Sequence, residues 1–215
     1  MRLLIFVALS GLLLTCNSAE VKPRINQSSF FPLEIGRSWS YRVNSFHFNG
    51  KDTIFATFNL KVVTTQVTQS LTGAEVYHFE VKDDSLGSWR FLPSWSVWIE
   101  EGKEIIVQEG NTRYVRLIFP FTETTTWNLN KYNTASNKSD LDICTVKFLD
   151  TDKKVIQITE EDDSIVVDKR FGVYRAGIGL ERRRYLKNNY GFRDLTGEAY
   201  VKTSDSFLWE IIDSQ

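Results

Sequence analysis

An all-β fold in a single antiparallel domain, curled into a sandwich or barrel-like sheet with little helix, follows from three observations. Apolar and polar residues alternate over short runs through most of the chain, and clusters of Gly, Asn and Asp separate the runs. No segment of helical length carries apolar side chains at spacings of three and four. Short strands that follow one another at such intervals form antiparallel sheets, because a tight turn joins neighbours without a crossover.

The 215 residues are 42% hydrophobic and 25% charged, with 12 Gly, 4 Pro and 2 Cys. That is enough apolar surface to offset chain entropy, which excludes a disordered chain, and too little Gly or Cys for a collagen-like or disulfide-dense one. With 26 basic and 27 acidic side chains, no global field gathers nucleic acid.

Met1-Arg2 is a short basic start, and residues 3–14 (LLIFVALSGLLL) form an apolar run too short to span a bilayer, so residues 1–15 read as a signal peptide. Leu13-Leu14-Thr15-Cys16 resembles the lipobox of bacterial lipoproteins, with Thr15 where that family mostly has Gly, Ala or Ser. The resemblance implies cleavage before Cys16 and acylation of its sulfur, palmitate being the usual chain, and of its new amine. Two or three acyl chains hold a protein firmly on a bilayer. The expected location is therefore the cell envelope, lipid-anchored, at the outer membrane of a Gram-negative bacterium. With Cys16 lipidated, Cys144 is the one remaining thiol and no disulfide forms within the mature chain.

Residues 16–29 comprise the lipidated Cys16 and a polar flexible tether, whose coil of about 13 residues reaches roughly 20 Å. Residues 30–215 form the β domain. Ile54, Ala56, Phe58, Leu60 and Val62 share one face of a strand whose other face holds Thr57, Asn59 and Lys61. Tyr77, Phe79 and Val81 repeat the pattern after a turn at Leu71-Thr72-Gly73. Further strands are expected at 88–99, 104–108, 113–119, 125–129, 143–149, 154–159, 164–168, 172–174, 178–185, 197–202 and 207–212. Turns are expected at Asn49-Gly50, Glu101-Gly102, 109–111, 150–153 and 187–191, and residues 128–142 read as a long polar loop.

Residues 30–41 (FFPLEIGRSWSY) resemble the opening of many uncharacterised bacterial extracytoplasmic lipoproteins: aromatic, Pro, Leu, one residue, aliphatic, Gly, two residues, Trp, one residue, Tyr. Those proteins also carry a late Gly-Ile/Val-Gly-Leu hairpin, matched by Gly177-Ile178-Gly179-Leu180, although Glu181 stands where Val is frequent. The resemblance implies an all-β lipoprotein and no particular activity. Physically, Pro32 belongs at a strand start or edge, Gly36 permits a turn, and Trp39 and Tyr41 share a strand face over the core. Gly177 and Gly179 suggest a bulge or a close backbone approach.

Few residues offer chemistry. The two histidines, His47 and His78, lack metal-ligand spacing, and no Cys-x-x-Cys occurs, so no metal and no cofactor are expected. Cys144, among apolar strand neighbours, reads as a core thiol. Asp150-x-Asp152 and the acidic run 160–163 lack a calcium-loop pattern and read as solvated turns. No catalytic residue is assigned.

Contact residues are a different matter. Trp89, Phe91 and Trp95 share a face if the strand continues through Pro93, with Trp98 opposite, and serve either the core or an exposed stacking platform. Arg182 and Arg184 alternate onto one face and Arg183 and Tyr185 onto the other. The pair Arg182 and Arg184 either guards an edge against aggregation or meets an anion. Thr53, Ser85 and Ser164 lie in Asp-Ser/Thr-aliphatic triplets that resemble O-glycosylation acceptors of some Gram-negative secretory pathways.

The functional expectation is a non-catalytic binding or structural lipoprotein of the envelope. Its partners would be the membrane, through the lipid on Cys16, and an envelope protein, glycan or apolar ligand. An alternative is a carrier holding a lipid or other apolar ligand in a sheet cavity lined by residues such as Phe58, Trp89, Phe91 and Trp95. A hydrolase using paired carboxylates is a third reading.

Overall fold

The computed structural model describes residues 27–133, 142–150, 154–162, 165–194 and 196–215. The signal peptide, Cys16, Ser164 and residues 134–141 of the polar stretch lie outside them, and the acidic clusters at 150–152 and 160–163 lie partly outside.

A short 3-10 turn (Gln27–Phe30) leads into β1 (Ser38–Phe48), β2 (Thr53–Gln69), β3 (Glu75–Asp83), β4 (Arg90–Phe91), β5 (Trp95–Glu100), β6 (Glu104–Glu109) and β7 (Thr112–Ile118). The chain continues through β8 (Thr126–Asn128), β9 (Ile143–Asp150), β10 (Lys154–Asp162), β11 (Val166–Arg175), β12 (Gly179–Phe192) and β13 (Ala199–Ser214). All belong to one 13-stranded antiparallel sheet, ordered β7-β6-β5-β3-β2-β1-β13-β12-β11-β10-β9-β8, with β4 paired to β3 beside that path. The protein is thus a single all-β domain.

Along this order the chain meanders, and its first and last strands pair in the middle, Val43 opposite Trp209. The two end strands then approach each other. The Val115 amide donates to the Leu129 carbonyl at 2.9 Å, and the Trp127 indole donates to the Val115 carbonyl at 2.7 Å. The sheet therefore curls on itself and encloses an interior, as a strongly twisted meander does when it nears closure.

Alternation locates that interior. In β2, Phe58, Leu60, Val62 and Thr64 turn inward, while Thr57, Lys61 and Thr65 face solvent. Ile54, assigned to the inner face, is 57% exposed because β2 runs past the end of the core. The turn after β5 falls at Glu101-Gly102 as expected, with φ of 49° and 68°, the left-handed pair of a tight hairpin turn.

Several element boundaries differ from the sequence reading. The run 88–99 is not one strand. It breaks at residues 92–94, and β4 and β5 each pair with β3. Of the segment 164–168, residues 166–168 join 172–174 in β11, and 197–202 and 207–212 join as β13 from Ala199 onward. Residues 187–191, read as a turn, lie within β12. There Asn188 accepts from Ser204 at 2.7 Å and Asn189 donates to Thr203 at 2.8 Å, so side chains that usually mark turns instead bridge two strands. Residues 27–29, read as tether, are docked: the Gln27 side chain donates to the Phe121 carbonyl at 3.0 Å and accepts from its amide at 2.9 Å.

The opening motif and the late glycine motif meet each other. The Trp39 indole donates to the Ile178 carbonyl at 2.6 Å, the Tyr41 hydroxyl to the Leu180 carbonyl at 2.9 Å, and the Arg37 guanidinium to the Gly177 carbonyl. Gly179 has φ +95°, and a Cβ there would lie 3.3 Å from Pro32 Cδ and 3.5 Å from the Trp39 indole nitrogen. The close approach expected of Gly179 is thus made by Pro32 and Trp39. Pro32 itself precedes β1, in the loop.

Cys144 is fully buried between strand neighbours. A thiol reagent should label it only as fast as the domain unfolds; rapid stoichiometric labelling of native protein would contradict its placement.

Candidate ligand-binding cavity

Core packing does not fill the interior. A cavity of about 380 Å³ lies inside the curl. One wall is aromatic: Trp95 stacks parallel to Trp209 with ring centres 6.2 Å apart, Tyr41 lies 5.8 Å from Trp209, and Phe207 and Tyr185 continue the row at 5.7 and 5.1 Å. These rings converge because Tyr41 (β1), Trp95 (β5), Tyr185 (β12) and Phe207 and Trp209 (β13) all occupy inward positions of their strands.

A charged group sits among them. Glu109 at the end of β6 pairs with Arg116 of β7 and, at 3.5 Å, with Arg183 of β12. The Arg183 guanidinium also lies over Trp209 at 5.1 Å and Phe207 at 5.5 Å. Burial pushes the Glu109 carboxyl up, but the two guanidiniums together outweigh it and hold the group below its ordinary value. Burial and the like charge of Arg116 bring Arg183 down to about 10, so it remains a cation at neutral pH. Burial raises Tyr41 and Tyr174, which stay protonated.

Among the described residues, the charged side chains bordering the cavity beside Glu109 are Arg116, Arg170, Arg183 and Arg184. Arg170 is held at 2.7 Å by Asp168 and at 2.8 Å by Asp142, neither of which borders the cavity. Arg116 and Arg183 share a single carboxylate.

The expected contact residues separate. Trp95 lines the cavity, and Phe58 packs against the core without bordering it. Trp89 and Phe91 are 53% and 68% exposed, because the register against β3 slips by one residue between the Phe91–Lys82 and Trp95–Phe79 pairs and the shared parity is lost. Trp98 is on the other face from Trp95, donating to Glu100 at 2.8 Å under the Arg113 guanidinium. Arg182 points outward to Glu210 at 3.0 Å, and Arg184 is exposed although it touches the cavity lining. Arg183, the residue between them, is the one turned inside.

Of the cavity's charged members, the sequence picked out Arg184 but not Glu109, Arg116, Arg170 or Arg183. For Arg183 a signal existed: it pairs with Trp209 across β12 and β13, and paired residues share a face, so the Phe207, Trp209, Ile211 alternation carries Arg183 inward. Arg116 and Glu109 offered none, since β6 and β7 bury both faces and a bulge at Ile105/Ile106 shifts their register.

Of the glycosylation candidates, Thr53 opens β2 and is exposed. Ser85 lies in the turn leaving β3, where its hydroxyl donates to Asp83 at 3.1 Å and accepts from Arg90 at 3.0 Å. His47 meets Asp205 at 2.5 Å, and His78 contacts Thr68 at 2.8 Å; neither borders the cavity. Among the described residues no three His, Cys, Asp or Glu side chains gather as a metal site would need.

Substituting Trp89 or Phe91 by Ala should change stability by less than about 1 kcal/mol, because their area is already in water. Trp95→Ala should cost about 3 kcal/mol. Denaturant midpoints compare the three directly.

No family model and no curated protein matches the chain. Among solved structures, a "putative lipoprotein" from Parabacteroides distasonis ATCC 8503 aligns over 86% of this chain and 98% of its own, at 10% identity and TM-score 0.40. A "putative exported protein with YmcC-like fold" from Bacteroides fragilis NCTC 9343 aligns over the same shares, at 12% identity and TM-score 0.36. Both likenesses are distant, and no residue or role is carried over from them.

Proposed function

We propose that the chain is an exported, lipid-anchored protein of the cell envelope, at the outer membrane, whose β domain binds a small apolar molecule in its interior without transforming it. The observation that carries the binding reading is the aromatic-walled cavity of about 380 Å³. A volume in the range of roughly 300–1,000 Å³ suits a small ligand, and a domain that had only to be stable would gain by filling it. The non-catalytic reading is supported by the surroundings. Among the described residues Glu109 is the one carboxylate bordering the cavity, so the carboxylate pair a hydrolase would use is not found among them, and Cys144 and both histidines lie off it. The native mass spectrum of protein gently released from its membrane tests this reading. It should show a retained small molecule; a spectrum of empty protein alone, with no uptake of added apolar probe, would overturn it.

The anchor reading rests on Leu13-Leu14-Thr15-Cys16. Cys16→Ser, exported behind a signal peptide that is cleaved without a lipobox, should move the protein from the membrane to the soluble fraction and remove the acyl mass from the mature chain. An unchanged membrane fraction would contradict it.

A further inference from the structure

From the cavity's charge arrangement we infer that its ligand is an amphiphile carrying one anionic head group, a carboxylate or phosphate, held by the Arg183 guanidinium with Arg116 behind it. The inference rests on the binding reading above and names the ligand class. Three observations lead to it. First, among the described residues four guanidiniums border the cavity against one carboxylate, and the carboxylates that match Arg170 stand outside the cavity. Second, Arg116 and Arg183 share Glu109, which leaves one positive charge of the cluster unmatched in a site where burial makes charge costly. Third, the Arg183 guanidinium lies over Trp209 and Phe207, at 5.1 and 5.5 Å from the ring centres, and these rings also form the apolar wall. A ligand whose head meets the guanidinium edge would therefore have its apolar body against those rings.

An anion here supplies the missing countercharge, and a planar guanidinium offers paired N–H donors to either a carboxylate or a phosphate. An alcohol of the same length would fill the same apolar space without that gain. A cationic amphiphile would meet Arg183 directly and be repelled.

The test uses the Cys16→Ser chain exported behind a signal peptide that is cleaved without a lipobox, purified without detergent and titrated with dodecanol, dodecanoate, dodecyl phosphate and dodecyltrimethylammonium below their aggregation thresholds. Dodecanoate or dodecyl phosphate should bind at least about tenfold tighter than dodecanol, as a hydrogen-bonded charge pair commonly gives, and the cation weakest. Whichever anion binds more tightly identifies the head group. Arg183→Met, which keeps the neutral Glu109 and Arg116 pair, should bring the anion down to the level of dodecanol while leaving dodecanol binding within about threefold. Arg183→Lys should keep part of the preference, and Arg182→Met, on the outer face, should keep all of it. Equal binding of alcohol and anion, or an undiminished preference in Arg183→Met, would overturn the head-group inference alone. Failure of every probe to bind, dodecanol included, would overturn the binding reading beneath it.

Discussion

Glu109→Gln is expected to lower the stability of the domain by about 3 kcal/mol, because removing one member of a buried ion cluster leaves its partners as uncompensated charges. Two guanidiniums depend on this carboxylate, Arg116 and Arg183, and they would then be neighbouring cations with no carboxylate between them. The glutamine keeps the shape and an acceptor oxygen but not the charge. A double-mutant cycle separates charge from shape: Arg183→Met should recover part of the loss in the Glu109→Gln background, because it removes one of the stranded cations. Simple additivity of the two substitutions would mean that the cluster is not coupled.

The same carboxylate predicts an acid limb. Its pKa is depressed in the folded protein, so its contribution is fully present above the unfolded carboxylate value of about 4.3 and is lost as pH falls through the lower, folded value. Asp83, held low chiefly by its hydrogen bond from Arg90, adds to the same limb. Stability measured by denaturant should therefore fall below about pH 4, and Glu109→Gln should flatten that fall.

Trp39→Ala is expected to cost about 4 kcal/mol, the size usual for truncating a buried aromatic. Trp39 is buried against Phe79 at 5.7 Å between ring centres, and its indole supplies the hydrogen bond to the Ile178 carbonyl. Trp39→Phe separates the two contributions, keeping most of the packing and deleting the donor, and should cost about 1–2 kcal/mol. Gly179→Val should be as damaging as Trp39→Ala, since φ +95° is strained for a β-branched residue and its side chain would press on Pro32 and Trp39. If Gly179→Val and Trp39→Ala are additive, the two motifs do not form the single contact described above.

These positions show what the sequence carries and what it withholds. Trp39 and Tyr41 were legible as inward-facing because period-two alternation in β1 is undisturbed up to them, and the all-β class rests on the same physics. The break at Pro93 was not legible. Parity is a local rule, and it fails where two short strands, β4 and β5, pair separately with one neighbour. Residues 187–191 carry Asn and Gly, which locally favour a turn, yet β13 supplies Thr203 and Ser204 as partners from another part of the chain. The cavity cluster is the extreme case. Glu109, Arg116 and Arg183 stand on three strands, and nothing local distinguishes them from the many solvated charges of a balanced composition. Long-range pairing brings them together, and a register shift in β6 and β7 hides the inward orientation of Glu109 and Arg116 from alternation.

The central claim is that an apolar molecule enters the interior beside Trp95 and Trp209. Quenching of tryptophan fluorescence by a fatty acid brominated on its chain tests it most directly, with the Trp89→Phe variant used to remove the exposed indole. The expected result is quenching that saturates at one molecule per chain and is greatly reduced when Trp95 and Trp209 are both replaced by Phe. Quenching that rises linearly without saturation, or that is unchanged in the Trp95→Phe/Trp209→Phe chain, would place the fatty acid outside the sheet and contradict the account.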